Sequence, residues 1–218
     1  MIRRFDPRLT LVTARIGAGG RPIEEIVAAA VRGGVMAVQL RDKSMPDAEL
    51  IRLAFKLKSL LEPLGIPLLV NDRVNVAAES GAAGIHLGQR DASVAEARRI
   101  LGPSAVIGLS VETPAQADAA EDLDLDYLGV SPIFATPTKP DAGTPWGLAG
   151  LRDLRRRTGR VLVAIGGIGA DNAAAVLEAG ADGLAVVSAI CSAEDPEAAA
   201  RSIRAVIDGP LRPRREGS

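Results

Sequence analysis

The chain of 218 residues, 47% of them hydrophobic, carries enough apolar side chain for one sizeable core, so a single domain is the expectation. Its 26 Lys and Arg against 27 Asp and Glu leave a formal net charge of −1, and aromatics are only 2%, so there is neither a global field to recruit nucleic acid or an anionic membrane nor a stacking platform for single strands. A lone Cys191 excludes an internal disulfide framework, no run reaches the roughly 18 apolar residues of a membrane span, and the Arg-rich start lacks a signal-like apolar stretch, which reads as cytoplasmic.

Short apolar runs alternate with Ala- and Leu-rich helical segments along the whole chain. LTLVT (9–13) precedes PIEEIVAAAVRGG, where Pro22 sits near a helix start and Gly33-Gly34 stops it. VMAVQL (35–40) leads through RDKSMPDAEL, with Ser44 as a candidate cap, into a helix running towards Leu61. PLLVN (67–71) precedes DRVNVAAESG, and GIHL (84–87) precedes DASVAEARRILG, with Ser93 or Asp91 as candidate caps. VIGLS (106–110), YLGVS (127–131), VLVAI (161–165) and GLAVV (183–187) are each followed by a helical segment, the last being DPEAAARSIRAVI.

Eight strand–helix units in 218 residues, about 27 apiece, predict an α/β fold built as a single (β/α)8 TIM barrel over residues 1–208, and the tail at 209–218, basic and without periodicity, is expected to be disordered. Strands apolar on successive residues and separated by helices imply a parallel sheet covered on its outer face. In such barrels chemistry sits at the carboxyl ends of the strands. Gln39, Arg41 and Lys43 leave strand 2 there, Asn71 and Asp72 strand 3, and His86, Gln89 and Asp91 strand 4. Ser110 ends strand 5, and a proline-stiffened loop with Thr136, Thr138 and Lys139 follows strand 6.

These clusters suggest three kinds of chemistry. Asp72 and Asp91 offer hard carboxylate oxygens from adjacent strands, without thiolates or clustered histidines, which suits Mg²⁺ rather than zinc; the alternative for each is a helix N-cap, the stronger reading for Asp91 taken alone. Arg41, Lys43 and Lys139 could converge on a pyrophosphate, and AIGGIGADN with VVSAI could offer backbone amides to a monophosphate. His86, the only histidine, alternates with Ile85 and Leu87 and is read as an inward-facing structural residue. Met36, Met45 and Cys191 are read as packing residues.

Taken together and in order, VQLRDK, LLVNDRVNVA, GIHLGQRD, IGLSVET, DYLGVSPIFATPTKPDA, VAIGGI and GADGLAVVSAI resemble the thiamine phosphate synthase family over nearly the whole chain. The resemblance implies a transferase that joins a pyrimidine methyl pyrophosphate to a thiazole ethyl phosphate with Mg²⁺, releasing pyrophosphate and thiamine monophosphate. It implies that Asp72 and Asp91 hold the metal and that Arg41, Lys43, Asn71 and Lys139 contact the pyrophosphate. Gln39 and Ser110 would face the pyrimidine and reacting centre, Thr136 and Thr138 would complete the wall, and Gly167, Val187 and Ser188 would bind the thiazole phosphate. Ser110 and Lys139 are the catalytic residues so implied, and the partners are the two small molecules, with homo-oligomerisation left open. The chain departs from the family at Thr10, where an aromatic is usual, at Ala14, near a usual acid, and at Ser131, where glycine is common.

Two alternatives share the fold. A thiazole tautomerase needs a phosphate site and an acid/base histidine but no pyrophosphate cradle, which the QxRxK, ND, D and TxTK residues argue against. A non-catalytic phosphate-binding barrel would not need Asp72, Asp91 and Lys139, all of which are present.

Overall fold

A computed structural model describes residues 5–14, 20–136 and 143–209. Eight parallel strands close into a barrel in sequence order: β1 (Leu9–Val12), β2 (Ala37–Leu40), β3 (Leu68–Asn71), β4 (Gly84–Leu87), β5 (Val106–Val111), β6 (Tyr127–Val130), β7 (Leu162–Ile165) and β8 (Gly183–Val186). Closure is made by β8 on β1, with Leu9 opposite Leu184 and Leu11 opposite Val186. The helices between strands are α1 (Ile23–Arg32), α2 (Asp47–Leu61), α3 (Val74–Ser80), α4 (Val94–Leu101), α5 (Pro114–Ala119), α6 (Gly147–Arg157) and α7 (Ala173–Glu178), and β8 is followed by α8 (Ser188–Cys191) and α9 (Pro196–Asp208). The barrel expectation therefore holds, while α8 is an extra turn that periodicity does not announce. The proposed disordered tail, apart from Gly209, lies outside the described residues. Among the described residues no helix is long and apolar enough to cross a membrane.

The strands are apolar on successive residues because each face is buried against something different. Leu9, Leu11, Leu68 and Val70 point outward into the large core shared with the helices. Their neighbours Val12 and Leu69 join Val106, Tyr127, Val163 and Ala185 in a smaller cluster filling the barrel. Two glycines make room for the largest inward side chains. A Cβ on Gly108 would lie 2.1 Å from the Tyr127 ring, and one on Gly129 would lie 2.7 Å from His86 Cε1.

Helix starts refine the sequence reading. Ser93 caps α4, its hydroxyl accepting from Glu96 N at 3.1 Å, so Asp91 is not the cap. Ser44 does not cap α2: Pro46 holds that position, and Ser44 is two residues too early. Its amide and hydroxyl instead bond Asp42 Oδ1 at 2.8 and 2.9 Å, closing a side-chain turn in the β2–α2 loop. Pro22 caps α1 without a side-chain bond. Cys191 is fully buried and Met45 packs against the core, as expected.

At the amino-terminal rim of the barrel, arginines serve architecture. Arg98 donates to the Ala105 carbonyl at 2.6 Å and Arg160 to the Leu125 carbonyl at 3.0 Å, while Arg155 pairs with Asp182 at 2.8 Å. Local use of this kind is why the overall charge says so little about ligands.

Candidate active site

The carboxyl-terminal ends of the strands surround a cavity of about 370 Å³. Gln39, Arg41, Lys43, Asn71, Asp72, Asp91, Ser110, Thr136, Gly167, Val187 and Ser188 all line it. Eleven sequence-predicted positions thus meet in one space, although they come from seven different strand ends. Thr138 and Lys139 lie outside the described residues.

The cationic side is tied to the neighbouring strand. The Arg41 amide donates to Thr13 Oγ1 at 2.9 Å, tying the exit of β2 to that of β1. Lys43 is exposed at the cavity mouth.

The acidic side is built by backbone geometry. Asp72 stands at φ +64°, a left-handed conformation that Asp tolerates better than most residues, and its amide donates to the His86 carbonyl at 2.8 Å. It follows β3 directly and is not the residue capping α3. Asp91 Oδ2 accepts from the Gly88 amide at 2.6 Å, folding the turn after β4 back on itself. The two carboxyls stand close enough to act on each other's charge. Burial first, then the neighbouring Asp91 carboxyl, push the Asp72 carboxyl up to about 6, against the pull of Lys43 and Arg41. Among the described residues no group of three or more His, Cys, Asp and Glu is gathered for a metal.

Beneath these charges runs a buried polar chain. His86 Nε2 is hydrogen-bonded to Ser110 Oγ at 2.8 Å, and Nδ1 to the Tyr127 hydroxyl at 2.9 Å. Burial raises the Tyr127 phenol above its ordinary range, and Gln39 beside it pulls the other way. His86 faces inward as its alternation predicts, but both ring nitrogens are engaged, so it orients Ser110 as well as filling space. Gln89 Nε2 adds a bond of 2.6 Å to the Ser110 carbonyl. Sequence reasoning did not find Tyr127, although it is the only tyrosine in the chain and the alternation along YLGV places it on the inner face.

The loop after β6 is closed at its base over the cavity rim. Ile133 and Phe134 donate to the carbonyls of Ile165 and Gly166, both at 3.0 Å, and on the return Trp146 and Gly147 donate to Pro132 and Ile133, both at 2.9 Å. Gly167 takes φ +66°, and a Cβ there would fall 2.8 Å from Phe134 Cβ, so only glycine lets this turn and loop approach. Asn172 pins the same turn, its Nδ2 donating to the Gly167 carbonyl at 2.8 Å. Of the departures from the family pattern, Ser131 is buried in the cavity wall. Thr10 is buried lower in the barrel, where Oγ1 has no partner among the described residues, and Val12 rather than Thr10 reaches the cavity.

A family model described as thiamine monophosphate synthase matches residues 9–190. The thiamine-phosphate synthase of Albidiferax ferrireducens is 57% identical over 92% of this chain and 92% of its own, and that of Xanthobacter autotrophicus is 49% identical over 95% and 98%. Among solved structures, a thiamine phosphate pyrophosphorylase from Pyrococcus furiosus superposes with a TM-score of 0.85 at 36% identity, covering 93% of this chain and 96% of that one. With such identity spread over the whole barrel and every motif-bearing strand end inside the match, this chain belongs to the thiamine monophosphate synthase family.

Proposed function

We propose that this chain is a transferase that condenses a pyrimidine methyl pyrophosphate with a thiazole ethyl phosphate, giving thiamine monophosphate and pyrophosphate. The observation that carries this reading is the meeting of opposite charges in one cavity: the Asp72–Asp91 pair stands within electrostatic reach of Lys43 and Arg41. A site for a neutral ligand, or for a single phosphate, would have no use for both.

The donor set fits a divalent cation of the Mg²⁺ class. Two hard carboxylates meet at the cavity edge, and water and substrate phosphate oxygens would complete the shell. When bound there, Mg²⁺ would neutralise charge that builds on the departing pyrophosphate. The chain's own residues do the rest. Arg41 and Lys43, with Asn71 beside them and Lys139 from the loop after β6, take the pyrophosphate oxygens. Loss of that group leaves positive charge on the pyrimidine methyl carbon, so leaving-group stabilisation matters more than a general base. Ser110, oriented by His86, faces the pyrimidine together with Gln39. Gly167, Val187 and Ser188 receive the thiazole phosphate on the opposite side, which holds the ring nitrogen facing the forming cation.

Purified protein incubated with both substrates and Mg²⁺ should yield thiamine monophosphate, and chelation should abolish the yield. Asp72→Ala or Asp91→Ala should lower turnover by orders of magnitude while circular dichroism stays unchanged. Full activity of either variant in chelator would refute the metal assignment.

A further inference from the structure

Arg73 follows Asp72 directly, yet it does not line the cavity, and no role in the chemistry above falls to it. Its guanidinium reaches from the end of β3 across to the loop after β2. Nη1 donates to the Met45 carbonyl at 2.6 Å and to Asp47 Oδ1 at 2.7 Å, and Nη2 donates to the carbonyls of Asp42 and Lys43, both at 3.1 Å. One planar fork thus grips three backbone carbonyls of the segment that carries Arg41 and Lys43. The side chain is only 23% exposed, so these bonds compete weakly with water. Asp47 is secured from the same side, accepting from Asn75 Nδ2 at 2.7 Å.

The placement has a consequence for the site. Asp72 and Arg73 are neighbours, so the bond that fixes the carboxylate's backbone to β4 and the bonds that fix the Lys43 backbone share one short piece of chain. Separation between acidic and cationic sides is then set through Arg73. An ammonium would do this only in part, since a point donor on a flexible stem lacks the fork that meets several carbonyls at once.

We propose that Arg73 is a positioning residue that sets the β2–α2 loop, and with it Arg41 and Lys43, at the spacing a pyrophosphate bound beside Asp72 requires. The inference rests on the reading of the cavity as a pyrophosphate site.

The test compares wild type with Arg73→Met and Arg73→Lys in Mg²⁺, measuring KM for both substrates, kcat, inhibition by inorganic pyrophosphate, pyrophosphate binding by calorimetry, and Tm. Arg73→Met should raise the KM for the pyrimidine pyrophosphate and weaken inorganic pyrophosphate in parallel, by about 10- to 100-fold, the scale of a lost charged hydrogen bond or two. The KM for the thiazole phosphate should stay within about twofold, because its site is built from other strand ends. Arg73→Lys should fall between, and it serves as the test variant if Arg73→Met does not fold. Uniform loss of activity tracking a lowered Tm, with unchanged pyrophosphate affinity in the folded fraction, would reduce Arg73 to a stabilising residue and overturn the inference. A wild type that neither turns over nor binds pyrophosphate would overturn the functional reading itself, and Arg73 with it. A wild type that does both, matched by Arg73→Met, overturns only the role of Arg73.

Discussion

Asp91→Asn should make the metal-free protein more stable above pH 6 while destroying its activity. The substitution keeps an oxygen to accept from the Gly88 amide, now at 2.6 Å, but removes the charge facing Asp72. Folding lifts the Asp72 carboxyl from its ordinary 3.8 to about 6. The folded state therefore holds that proton more tightly than the unfolded chain does. Below pH 3.8 the group is protonated in both states and the arrangement costs nothing; through the window up to 6 the cost grows, and above 6 it is complete. Two pKa units correspond to about 3 kcal/mol, but burial, which the substitution leaves in place, is the larger cause, and Asp72 is only half-buried, so screening leaves the share imposed by Asp91 at no more than about 1 kcal/mol. Relief of that share corresponds to a rise in Tm of at most about 2–4 °C for a domain of this size. Thermal unfolding of wild type and variant in chelator, at pH 4 and pH 8, measures it. The curves should separate at pH 8 and converge at pH 4, and excess Mg²⁺ should stabilise the wild type more than the variant. Equal Tm values at both pH values in chelator would refute the argument that the two carboxyls repel across this cavity.

Three further outcomes test the proposed site and the packing around it. Lys139→Ala should lower kcat at saturating substrates, because the leaving group gains charge in the transition state, whereas Ser188→Ala should mainly raise the KM for the thiazole phosphate, which does not react; identical kinetic signatures would contradict the partition into two anion sites. His86→Asn should keep most synthase activity, since little proton transfer is needed, and a loss of about 10³-fold with normal fold and Mg²⁺ affinity would mark it as an acid/base residue instead. Gly129→Ala should drive a methyl to 2.7 Å from His86 Cε1 and cost about 1–3 kcal/mol of stability, read by denaturant unfolding; an unchanged midpoint would mean the barrel interior yields more easily than its packing implies.

Local signals in the sequence carried the elements and their parity. Each strand was legible from a run such as LLVN or GIHL bounded by a helical segment, because backbone pairing and two-sided burial both act residue by residue along a short stretch. Eight such units imply closure, and closure puts every strand's carboxyl end on one rim, which is why eleven candidate residues, named in part by the family resemblance, line one cavity. Misreadings were confined to places where two local solutions compete. Ser44 and Pro46 both suit a helix start, and the proline won because its fixed φ seats the first turn without a side-chain bond.

What only the tertiary structure decided is which side chains touch across the barrel. Asp72 and Asp91 could each have been a helix cap; their contact follows from the register that sets Asn71 opposite His86 and from the turn that Asp91 closes on Gly88. His86, Ser110 and Tyr127 come from three strands, and their hydrogen bonds exist because Gly108 and Gly129 vacate the space that the two rings occupy. Arg73 reads in sequence as one more surface cation beside NDRVN, and only folding reveals the three carbonyls it holds on a loop some thirty residues earlier. Such contacts depend on the distance between elements that are remote along the chain, and no periodicity within one element encodes that distance. The packing of the closed barrel sets it.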